Sequence, residues 1–121
     1  MKKSLIVLFF LSFLLVSCGI NITRPLISYK PYKVALSQKP QDSKIDLYES
    51  DKAVTQSFQV LGELAFGDSG LSARCSYGEI MANAQEYARK VGGDALIILE
   101  HKHPGLASTC HRMKFHVISY D

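Results

Sequence analysis

The strongest periodicity in the chain runs from residue 76 to residue 91. Tyr77, Ile80, Met81, Ala84, Tyr87, Ala88 and Val91 recur at helical spacing and form one apolar stripe. Asn83, Glu86, Arg89 and Lys90 face away from it, and Glu86 and Lys90 make a favourable i,i+4 pair. Ser76 and Glu79 have the spacing of a capping box, in which each side chain satisfies a free amide of the first turn. Gly92 and Gly93 stop the helix, because glycine adopts the left-handed cap cheaply. Ala84 and Ala88 are small enough to let this helix lie close on a sheet.

The remaining apolar positions predict strands. Ile45 and Leu47 alternate with Asp46 and Tyr48 in a short strand. Residues 57–66 read as a longer one, with Phe58, Val60, Leu64 and Phe66 on one face. Gly62 lies on that face and marks a bulge or a close packing neighbour. The Gly67-Asp68-Ser69-Gly70 loop ends it. Ala95-Leu96-Ile97-Ile98-Leu99 is apolar without alternation, the pattern of a central strand covered on both faces. Pro104-Gly105 breaks the following stretch. Met113, Phe115 and Val117 then alternate with Arg112, Lys114 and His116 in a half-exposed strand. The predicted order over residues 44–121 is β-β-α-β-β, an α+β domain with one helix on a small four-stranded sheet.

The N-terminus has a different logic. Lys2 and Lys3 precede an apolar run from Leu5 to Val16, broken only by Ser12. As a helix this run spans about 18 Å, short of the roughly 30 Å hydrocarbon core, so it predicts a cleaved signal instead of a spanning helix. Leu15-Val16-Ser17-Cys18 resembles the lipobox of bacterial lipoproteins. That resemblance implies removal of residues 1–17 and acylation of Cys18. More than one acyl chain is needed for stable anchoring, and lipoproteins of this kind carry several. Residue 19 is Gly, not Asp. In a Gram-negative envelope this implies the outer membrane, with the domain facing the periplasm; otherwise the extracytoplasmic membrane surface is implied.

Residues 18–43 are read as the lipidated cysteine and a tether. Pro25, Pro31 and Pro40 disfavour a helix there. Fully extended, residues 19–43 reach at most about 85 Å. Tyr29, Tyr32, Val34 and Leu36 leave a second option open, a segment that docks on a partner or the membrane surface.

Composition narrows the function classes. Removing 17 of 121 residues leaves 104, one small domain with its tether, and loss of Lys2 and Lys3 lowers the formal charge from +3 to +1. No basic run with interleaved aromatics points to nucleic acid. Cys75 and Cys110 remain after Cys18, and an even pair in an oxidising compartment is expected to bond. The alternatives are two buried thiols or a redox-active pair, although no Cys-x-x-Cys motif is present. His101 and His103 share a face if their strand continues; His111 and His116, placed on the final strand, have opposite parity. No acidic ligand cluster accompanies them, so they are read as solvated or pH-responsive histidines and no metal site is assigned. No nucleophile elbow, paired carboxylates or phosphate loop appears, so neither a catalytic residue nor a cofactor is expected.

Residues 44–121 resemble the periplasmic domain of the Rcs stress-sensor lipoproteins and the YbjQ-type small α+β domains. The resemblance rests on Lys44-Ile45-Asp46-Leu47-Tyr48, Phe58-Gln59-Val60-Leu61-Gly62-Glu63-Leu64, Gly93-Asp94-Ala95-Leu96-Ile97 and Cys110-His111-Arg112. The Rcs sensors carry two domain disulfides, whereas this chain has cysteines for one. The expected function is that of a membrane-anchored, non-enzymatic envelope lipoprotein that binds another envelope component and reports envelope stress. The alternative is a small periplasmic metal- or ligand-binding lipoprotein, with His101 and His103 as the residues to test. Oligomeric state is open, since the YbjQ-type resemblance also allows homo-oligomers.

Overall fold

The computed structural model describes residues 26–67, 75–105 and 110–121. The lipobox and Cys18 lie outside the described residues. Five strands form one mixed sheet: β1 (Leu26–Pro31), β2 (Asp46–Tyr48), β3 (Phe58–Gly67), β4 (Ala95–Lys102) and β5 (Arg112–Tyr120). Their spatial order is β1-β3-β5-β4-β2. Among the described residues, only the β2–β4 pair is parallel. One helix, α1 (Tyr77–Lys90), covers one face of the sheet.

The helix follows its sequence signals. The Ser76 side chain accepts from the Glu79 amide at 3.3 Å. Ile80, Met81, Ala84 and Ala88 are buried against Leu61, Leu64, Phe66, Leu96, Met113, Phe115 and Val117. Gly92 follows with φ +81°, in the left-handed region that glycine occupies without strain. β4 is interior as expected, and β5 is the central strand of the sheet. On the second face Ala95, Ile97 and Ile118 form a smaller buried cluster, packed by Tyr48, Val54, Phe58, Val60 and Tyr120. There Tyr120 donates to Asp46 Oδ2 at 2.8 Å and lies 2.7 Å from the Tyr48 hydroxyl. Burial, then these two neighbours, push the Tyr120 phenol well above its ordinary range.

Two expectations need correction. The sheet has five strands, not four, because residues 26–31 of the expected tether pair antiparallel with β3. Tyr29 packs on the core and tilts against Tyr87 at a centroid distance of 5.0 Å. Pro31 ends the strand at the sheet edge, where a missing donor is tolerated. The chain beyond it is strapped down as well. The Leu36 amide donates to Val91 O, the Lys39 amide to Arg89 O, and Lys39 Nζ pairs with Asp94. Of the apolar residues that made this segment odd for a linker, Tyr29 therefore docks on its own domain, while Tyr32, Val34 and Leu36 stay exposed.

The second correction concerns β3. Its pairing with β5 shifts register between Val60 and Gly62, so a bulge at Leu61 divides the strand. Phe58 and Val60 belong to the second face, while Leu61, Leu64 and Phe66 belong to the helix face. Gly62 is also a close approach. A Cβ there would sit 2.6 Å from the Tyr29 ring and 2.7 Å from the Lys30 carbonyl oxygen. Gly62→Ala is expected to lower stability by about 1–3 kcal/mol through overpacking. A shift in the urea midpoint checks this, and hydrogen exchange should show the loss concentrated in β1.

Candidate metal centre

The far end of the β4–β5 hairpin brings three histidines together. β4 shifts register against β5 between Ile98 and Glu100, which makes Leu99 a bulge residue. Simple alternation from Leu96 and Ile98 would put His101 on the face away from the helix. The bulge reverses that parity, and His101 pairs opposite Met113, a core residue of the helix face. His103, two residues on, shares that side. His111 lies just before β5, not within it, two residues from Met113 on the same side.

The disulfide holds this corner. Cys75 and Cys110 are bonded and buried, with Cα atoms 4.9 Å apart and a sequence separation of 35. The bond joins the entrance of α1 to the entrance of β5, and the His111 amide donates to Cys75 O at 3.1 Å. Tyr77, in the first turn of α1, stacks on His101 at 5.6 Å and meets His111 edge-on at 6.0 Å.

The ligand atoms of His101, His103 and His111 all lie within 4.8 Å of one another. His101 Nε2 is 2.9 Å from His111 Nδ1, and the rings of His101 and His103 are 4.0 Å apart. Burial, then the neighbouring His103 and His111, lower the pKa of His101, which favours the neutral imidazole that metals bind. Nitrogens around a tetrahedral zinc ion stand about 3.3 Å apart, so modest ring rotation completes the set. His103 is exposed and free to make that rotation. Imidazole donors suit zinc, copper and nickel, and three of them leave the fourth position open to exchange.

The reading of these residues as solvated holds for His103 only, since His101 and His111 are partly buried. His116 stands apart, edge-on to Tyr32 at 5.9 Å, as its parity required. His111 was missed because its approach depends on strand pairing and a bulge that no residue near Leu99 announces. The one local signal was its place beside Cys110. Among the described residues, no helix is long and apolar enough to cross a membrane. No protein-family model, curated protein or solved structure matches the chain.

Proposed function

We propose that this chain is an envelope lipoprotein, acylated at Cys18, whose α+β domain binds a divalent transition-metal ion through His101, His103 and His111. The converging imidazoles carry the reading. An open fourth position and an exposed ligand suit reversible capture better than a structural site. The lipobox residues support the anchor.

Zinc titration of the full chain against a chromophoric chelator tests the metal reading. Saturable one-to-one binding is expected, with His101→Ala weakening it roughly tenfold or more by removing one of three ligands. Indistinguishable titrations of wild type and variant would sink the assignment. Mass spectrometry of the product made in a bacterial envelope tests the anchor: it should begin at an acylated Cys18.

The second reading is an envelope-stress sensor that engages another envelope protein, as the Rcs-like resemblance implies. Exposed Tyr32 and Val34 in the strap favour it. Crosslinking in cells through position 34 should then capture a defined envelope protein, and its absence argues for the metal reading alone.

A further inference from the structure

On the sheet face opposite the histidines, the same hairpin builds a positively charged hollow. One row across four strands runs Glu100, Lys114, Ala65 and Ser28. In the next row Lys102 pairs with Arg112, and Gly67 with Leu26. The two β3 positions, Ala65 and Gly67, lack bulk beside long cationic side chains. The result is a depression of about 230 Å³ lined by residues of both rows. That volume admits a phosphate group with part of the molecule bearing it.

The charges are unequal. Glu100 lies 3.0 Å from Lys102 and 3.7 Å from Lys114, one carboxylate shared by two ammonium groups. Among the described residues no carboxylate pairs with Arg112. Its Nε is buried and has no hydrogen-bond partner. A buried donor on a group that never loses its charge is a cost that a bound acceptor removes. Guanidinium presents forked donors that match an oxyanion, and two flanking ammonium groups favour phosphate over a single carboxylate.

We propose that this hollow binds the phosphate of a phosphate monoester or diester, with Arg112 as the forked donor and Lys102 and Lys114 as flanking charges. The site is independent of the histidines and of the metal reading. Two sources supply such a group, free phosphate compounds and phospholipid headgroups. Ser28 is ten residues from Cys18, so an acylated chain would hold the hollow within about 35 Å of the bilayer.

The test uses the isotope-labelled full chain in detergent micelles, titrated with inorganic phosphate at constant ionic strength. Saturable amide shifts are expected at Ser28, Ala65 and Lys114. Arg112→Gln should weaken the apparent affinity roughly tenfold or more, and Glu100→Gln should strengthen it by removing the competing carboxylate. Lys52→Gln, the same charge change outside the hollow, should leave it within about twofold, since a distant exposed charge is screened. If Arg112→Gln loses its dispersed spectrum, Lys114→Gln takes its place. A second arm adds vesicles of phosphatidylcholine with or without phosphatidylglycerol. Pocket shifts that require phosphatidylglycerol identify a headgroup; shifts with phosphate alone identify a soluble ligand. No pocket-confined shift with either probe, or equal responses from Arg112→Gln and Lys52→Gln, overturns the proposal.

Discussion

Replacing both Cys75 and Cys110 with alanine is expected to lower stability by roughly 3–4 kcal/mol, the loop-closure entropy of a bond spanning this separation. Against a total of about 5–15 kcal/mol for a domain of this kind, that loss is large. Chemical denaturation of wild type and the double variant measures it. The same change should weaken zinc binding. Cys110 precedes His111, whose amide is held by Cys75 O, so the bond sets where His111 stands relative to His101. Free of it, the residue samples positions away from the other two imidazoles, and the apparent affinity falls with the fraction of chains in the binding-competent arrangement. Linkage requires the reverse effect too: saturating zinc should slow reduction of the bond by dithiothreitol. His101→Ala should abolish that protection while leaving the disulfide intact. Equal reduction rates with and without zinc, in a chain that binds zinc, would show that the two features are uncoupled.

Asp94→Ala is expected to cost about 2–3 kcal/mol, because one carboxylate ties three parts of the chain together. It pairs with Lys39 of the strap and accepts from the Tyr120 amide at 2.9 Å and Ser119 Oγ at 3.2 Å. Its own backbone carbonyl accepts from the Asp46 amide of β2. Burial pushes the carboxyl pKa up, but the hydrogen bonds and the charge of Lys39 outweigh burial and hold it below the usual range. The sign of the pH dependence follows. A carboxyl more acidic in the folded state contributes stability at pH values above its unfolded pKa, about 3.9, and loses it as pH falls through the lower folded value. The gap between wild type and Asp94→Ala should therefore be full at neutral pH and narrow below about pH 4. Urea midpoints across pH 3–7 test this. A gap that stays constant to the acid end would mean that packing, not charge, is what the variant loses. Proteolysis in the strap should also accelerate, since Lys39 gives up its partner.

Much of the architecture was legible in local signals. The helix was marked by Ser76, the stripe through Ile80, Met81, Ala84 and Ala88, and the glycines after Lys90. The interior strand at 95–98 and the alternation at 112–117 were equally plain, and the cysteine pair was suggested by its even count. β1 was hidden by prolines at both ends of a six-residue stretch, which read as linker until Tyr29 found Tyr87. The candidate metal centre was hidden by the same kind of effect. His101 and His103 were visible as a pair, but their face depended on Leu99, and their third partner lay across a hairpin.

Sequence alone determined the capped helix, whose stabilising contacts fall within a few residues, and the apolar patterns that mark the strands; it raised the bond between Cys75 and Cys110 as an expectation, which the structure bears out. Tertiary structure decided the fifth strand, the parity of β3 and β4, and the meeting of His101, His103 and His111. The reason is physical. Alternation along a strand is a local property, whereas a bulge is settled by the strand beside it, and one extra residue there moves every later side chain to the other face.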